Sequence, residues 1–135
     1  MFLLDTNVVS EGSKPLPAAT VDRWFGAQDQ GQLYLSAISV GELAYGIERL
    51  DGGRRKSQLR AWFEETVIVG FAGRVVNFDQ GIALKWAALR SKYPDAKTVD
   101  SQIAATALAF GLTVVTRNAR DFAFAGLSVF NPWEA

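Results

Sequence analysis

Five short apolar runs, Phe2–Leu4, Gln32–Leu35, Arg74–Phe78, Leu112–Val115 and Leu127–Phe130, are separated by longer stretches that read as helices. Runs of this length alternating with helices specify βαβ units and a parallel sheet. They lack strict polar alternation, as expected when helices cover both faces of a sheet. The expected fold class is therefore α/β: a three-layer α/β/α domain with a parallel sheet of about five strands. Its 135 residues fit a single domain spanning 1–135. In such a sheet, strand carboxyl ends and helix amino ends line one edge, and ligands bind there.

The helical stretches carry their own signals. Val21, Trp24 and Phe25 mark one face, and Pro15 and Pro17 punctuate the loop before it. Ser36 or Ser39 opens a helix carrying Ile38, Leu43 and Ile47. After Gly52-Gly53 comes a helix with Leu59, Trp62 and Phe63 on its inner side. Ile82, Trp86, Leu89 and Tyr93 fall at helical spacing, and Pro94 ends that run. Thr98–Phe110 is Ala-rich and apolar on most sides, with Gly111 placed as a C-terminal stop.

Fourteen Lys and Arg balance fourteen Asp and Glu. Bulk electrostatic grip on nucleic acid needs a positive excess, so any such partner is held by a local site. The chain has no Cys and no His, which excludes disulfide frameworks, thiol nucleophiles, Cys/His zinc sites and imidazole proton shuttles. Carboxylates are the main ionisable chemistry left. The uncharged stretch around Ile103–Thr116 is broken by Gly111 and is shorter than the ~18 apolar residues of a membrane span. Met1–Asp5 lacks the positive region of a signal peptide, so a cytoplasmic protein with no membrane contact is expected.

Asp22, Asp29, Glu48, Asp51, Glu64, Glu65 and Asp95 sit in polar company and read as solvated. Four acids occupy stranger places. Asp5 follows the first strand, Glu42 lies early in the helix after the second, Asp100 stands in the first turn of the most apolar helix, and Asp121 follows the fourth strand. A doubly wound topology carries all four to one edge. Clustered buried carboxylates repel, at a cost of several kcal/mol each on an order-of-magnitude scale, and a divalent cation relieves it. An all-oxygen ligand set favours magnesium or manganese over zinc. Each acid also has a structural reading: Ser39-Val40-Gly41-Glu42 and, more loosely, Asn118-Ala119-Arg120-Asp121 have capping-box spacing, Asp100 complements a helix dipole, and Asp5 caps a helix. A cap that fixes a carboxylate rotamer also preorganises a ligand, so the two readings coexist.

The segments Leu3-Leu4-Asp5-Thr6-Asn7, Ser39-Val40-Gly41-Glu42-Leu43, Val99–Ala105 and Thr116–Phe122 strongly resemble the PIN-domain ribonucleases, with the closer likeness to VapC-type toxins of bacterial toxin–antitoxin pairs. The likeness spans essentially the whole chain, including Asn131-Pro132-Trp133. It implies an endoribonuclease that uses Mg2+, with Mn2+ as a substitute. It further implies homodimers, an RNA substrate and inhibition by a cognate antitoxin over or beside the acidic pocket. The family's acids carry over onto Asp5, Glu42, Asp100 and Asp121, with Asp5 and Asp100 the surest metal ligands. Many relatives have alanine where this chain has Ser101, and some branches have a carboxylate where it has Asn118, which bears on whether a second metal binds.

On this reading a cation held by Asp5 and Asp100 activates water for in-line attack on phosphorus, and Glu42 and Asp121 orient the water or hold a second ion. Arg117 and Arg120 are positioned to reach phosphates, Asn118 lies between them, and Thr6, Asn7 and Thr116 donate to water or carboxylate. The densest basic cluster, Arg54, Arg55, Lys56 and Arg60, reads as a solvated helix face. Trp62 and Trp86 read as core. The mean hydropathy of +0.07 points to apolar surface covered by a second copy or an antitoxin helix. A haloacid-dehalogenase-type phosphatase would require an acid where Asn7 stands, and no G-x-G-x-x-G follows the first strand to bind a dinucleotide. The rival from another class is a PIN-like module that binds RNA or protein without cutting.

Overall fold

The computed structural model describes all residues, 1–135. Five strands form one sheet: β1 (Phe2–Leu4), β2 (Leu33–Ser36), β3 (Val75–Val76), β4 (Thr113–Val115) and β5 (Val129–Phe130). Their spatial order is β3-β2-β1-β4-β5, and every pairing is parallel. Around it lie α1 (Thr6–Glu11), α2 (Ala19–Ala27), α3 (Ala37–Glu48), α4 (Arg54–Trp62), α5 (Gln80–Lys92) and α6 (Thr98–Phe110). The α/β/α expectation holds. No helix is long and apolar enough to cross a membrane.

Side chains of a strand alternate between faces, and each face builds its own core. Leu3 and Val114 join Ile82, Leu89, Ile103 and Ala104 beneath α5 and α6. Leu4, Val115, Leu33 and Leu35 join Val8, Val21, Val67 and Phe71 on the opposite side. Both faces are thus covered, which is why the strands show no polar alternation. Trp86 packs against the first core and Trp62 against the second, as their helical spacing predicts.

The edge strands are shorter than the sequence suggests: Arg74–Phe78 reduces to two paired residues, and Leu127–Phe130 likewise. Each pairs on one side only, so the ladder ends where the neighbouring strand does. The helix carrying Leu59 and Trp62 widens into a π-helix over Phe63–Val69. The basic cluster beside it is structural: Lys56 Nζ donates to the Glu48 and Leu50 carbonyls at the end of α3, Arg55 to Ser13, and Arg60 pairs with Glu48.

Two devices aim the acids. The strand order reverses between β1 and β4, so the crevice at their carboxyl ends is the topological switch point. Gly111, in the left-handed region at φ 65°, stops α6 two residues before β4 begins. That short link holds the end of α6 at the amino edge of the sheet and its first turn, with Asp100, at the carboxyl edge.

Candidate active site

Asp5 lies at the switch point itself. It is 6% exposed and caps α1 by accepting the Thr6 N–H on Oδ1 at 2.8 Å. Its Oδ2 accepts the Thr116 hydroxyl at 2.8 Å and the Asn7 amide at 3.3 Å. Thr116, fully buried at the end of β4, in turn accepts the Asn118 N–H at 3.0 Å. Asn7 Oδ1 accepts the Arg117 N–H at 3.3 Å, tying α1 to the segment after β4. Burial pushes the Asp5 carboxyl above the ordinary range, against the pull of the Thr116 and Thr6 hydrogen bonds, and the charges of Glu42 and Asp121 push the same way.

Asp100, half-buried in the first turn of α6, is pushed up to about 6 by burial first, then by the charges of Asp5 and Asp121. Neither Asp5 nor Asp100 has a cationic partner among the ion pairs. Glu42 is exposed on α3 and accepts the Thr6 hydroxyl at 2.6 Å. Asp121 sits in a 3-10 turn, Ala119–Phe122, with Lys97 Nζ 3.0 Å from its Oδ2. The charges of Asp5, Asp121 and Glu42 all reach Asp100 at this edge. The four acids do not form a cage, since no three acidic side chains stand close enough to hold a metal ion together.

Two capping-box readings fail. α3 is capped by Ser36, whose hydroxyl accepts the Ile38 N–H at 3.0 Å, and Ser39 Oγ is buried without any partner. Ser36 wins because it is the last residue of β2 and keeps the extended backbone a cap needs. Asn118 precedes the 3-10 turn but makes no side-chain cap, its side chain lying in a small cleft with Arg117, Arg120 and Asp121. The expectation that a positive group must stand among the acids is met in part by Lys97, which the acid-based reading missed. Ser101 accepts the Trp86 indole N–H at 2.9 Å and donates to the Thr98 carbonyl at 2.7 Å. Arg117 stacks over Trp133, 5.2 Å from the ring centre. The seven acids read as solvated are all exposed, whereas Glu11 is buried, its carboxyl held low by hydrogen bonds from Lys14 and the Ala18 N–H.

The donor set fits a hard divalent cation. Mg2+ keeps several waters and is held by one or two carboxylates, so it requires no three-carboxylate cage. Asp5 and Asp100 supply two anionic groups outside any salt bridge, with only the charge of Lys97 reaching Asp100 from a distance.

A buried aspartate at the end of β1 is thus hydrogen-bonded by the threonine that follows β4 and shares its edge with an acid on α6. The PIN domain profile matches residues 2–126. This chain belongs to the PIN-domain family. It is 41% identical to Toxin FitB of Neisseria gonorrhoeae, over 98% of this chain and 99% of that protein. It is also 41% identical to VapC ribonuclease Y4jK of Sinorhizobium fredii, over 99% of each. Its fold superposes on a chain in a structure of FitAB bound to an IR36 DNA fragment with a TM-score of 0.92, at 39% identity, covering 98% of this chain and 96% of that one.

Proposed function

We propose that this PIN domain is a Mg2+-dependent endoribonuclease, with Mn2+ as a substitute, acting as the toxin of a toxin–antitoxin pair. The observation that carries the reading is the pair of carboxylates, Asp5 and Asp100, that stand at the switch point without a salt-bridge partner. A fold does not keep two mutually repelling, partly dehydrated anions without a use for them. The names of its relatives, a toxin and a ribonuclease, support the same reading. A protein antitoxin as partner is supported by the fold's likeness, at 26% identity and a TM-score of 0.73, to a chain of a toxin–antitoxin complex from Klebsiella pneumoniae, and self-association into a homodimer accompanies it in the family resemblance.

When bound, a divalent cation supplies Lewis-acid polarisation of a phosphate oxygen and acidifies water. The chain's own residues do the rest. Asp5 and Asp100 would hold the ion, and Thr116, Asn7 and the Thr6 N–H fix the Asp5 rotamer. Thr6 fixes Glu42 at the mouth, where its carboxylate orients water. Arg120 lies beside Asp121 and meets the RNA backbone; Arg117 and Asn118 line the small cleft on that side.

The Lys97–Asp121 pair favours a second reading, a module that binds without cutting, because a lysine on the fourth acid neutralises it. A cleavage assay on single-stranded RNA, with Mg2+ and with chelator, separates the two. Cleavage that needs Mg2+ and falls at least ~100-fold in Asp5→Asn is expected from loss of a metal ligand. Asp5→Asn cutting at the wild-type rate would falsify the assignment.

A further inference from the structure

The cations that matter for a polyanion are scattered in sequence and gathered by the fold. A cleft of about 440 Å3 opens between the α5–α6 link and the 3-10 turn after β4, and Lys92, Lys97 and Arg120 line it. Tyr93 and Phe124 form its apolar wall, and Asp95 and Asp121 are its acids. A second cleft of about 270 Å3 continues along α5, sharing Lys92 and Tyr93 and adding Lys85, with no acid in its lining. Lys85 and Lys92 are two helical turns apart on one face of α5, roughly 10 Å along the axis. Lys85, Lys92 and Arg120 take part in no ion pair. The wall is anchored, because the Tyr93 hydroxyl accepts the Ala125 N–H at 3.0 Å and its ring meets Phe124 edge-on, 5.0 Å between centres. At its far end the groove reaches Asp121, and Lys97 there is close enough to Asp100 to feel its charge.

We propose that this groove is a subsite for single-stranded RNA, in which Lys85, Lys92 and Arg120 bind backbone phosphates to one side of the scissile bond. The inference rests on the RNA-cleaving reading. An apolar floor with cations along its rim suits a sugar–phosphate strand, sequence-independently. In a chain of zero net charge, a local track of this kind is how RNA would be held. An acidic protein segment would also find the cations. RNA is favoured because the groove runs directly into the carboxylate edge, where a strand under attack must enter or leave.

The test uses the full-length protein and a fluorescein-labelled ten-nucleotide single-stranded RNA, with anisotropy measured in excess chelator over a salt series. Lys85→Gln and Lys92→Gln are each expected to lower the slope of log affinity against log salt by about 0.7, with about fivefold weaker binding near 0.1 M salt. With Mg2+ the same variants raise KM by a similar factor and leave kcat within about twofold, since they touch only flanking phosphates. Arg54→Gln, an equal charge change on α4, leaves both readouts unmoved. Equal losses in Arg54→Gln, or unchanged slopes in the groove variants, overturn the subsite, as does a decaglutamate peptide displacing the RNA at comparable charge concentration. Wild type that cuts RNA while the groove variants bind normally removes the groove and keeps the nuclease. Wild type that binds through the groove and never cuts removes the nuclease and keeps the groove. No RNA binding at all removes both.

Discussion

Asp5 is held by three donors, and each does a different job. The Thr6 N–H makes it a helix cap, Asn7 ties it to the segment after β4, and the buried Thr116 hydroxyl opposes the dehydration that drives its carboxyl up. Removing that hydroxyl with Thr116→Val keeps the shape, strands the Asn118 N–H and raises the Asp5 carboxyl further. A buried hydrogen bond to a charged group is worth ~1.5–3 kcal/mol. Metal ligands must be deprotonated, so a higher carboxyl demands higher pH for the same occupancy. The acidic limb of the cleavage profile is therefore expected to move upward in Thr116→Val, with activity lost far more at pH 6 than at pH 8. A uniform loss at both pH values would make Thr116 merely structural. At this scale the acids were legible, because a carboxylate at a strand end or helix start has its edge fixed by topology. Lys97 was not: one residue outside a helix, its partner 24 positions away, it carries no local signal. Nor was the choice between Ser36 and Ser39, which depends on where β2 ends.

Elements were legible where packing repeats and obscure where it stops. The spacing of Ile82, Trp86 and Leu89 and the Gly111 stop describe α5 and α6 well because both bury a continuous face. The ends of β3 and β5 depend on neighbouring strands, and the π-helix at Phe63–Val69 has no periodic signature of its own. Glycines separate the two kinds of backbone. Gly46, exposed in α3, has open space where a Cβ would go, so Gly46→Ala should stabilise by about 0.5–1 kcal/mol through helix propensity. Gly70, closing the π-helix, would drive a Cβ into the Thr66 carbonyl. Backbone must move there, and overpacking of that kind costs roughly 1–3 kcal/mol. Urea midpoints of the two variants are expected to shift in opposite directions. A Gly70→Ala protein as stable as wild type would mean that the π-turn relaxes freely to an α-helix.

Over the whole molecule, two cores on opposite faces of one sheet set the fold, and the acidic edge works against it. Asp100 has a carboxyl near 6 when folded against an ordinary value of 3.8. Between those pH values the folded chain holds more protons than the unfolded one, so stability falls as pH rises through the window. At neutral pH the folded state carries the full penalty. Partial exposure screens it, leaving about 1 kcal/mol, or roughly 4 °C in a domain of this size. In chelator at pH 7.5, Asp100→Asn should thus melt higher than wild type by about that margin, and the difference should vanish below pH 4. Magnesium should reverse the ranking: binding only the folded state raises the wild-type Tm, while the variant, short of one ligand, responds weakly. Those two shifts of opposite sign have one origin, an anion placed for a ligand rather than for the fold. If Asp100→Asn melts lower in chelator, Asp100 is a structural acid and the edge is no metal site.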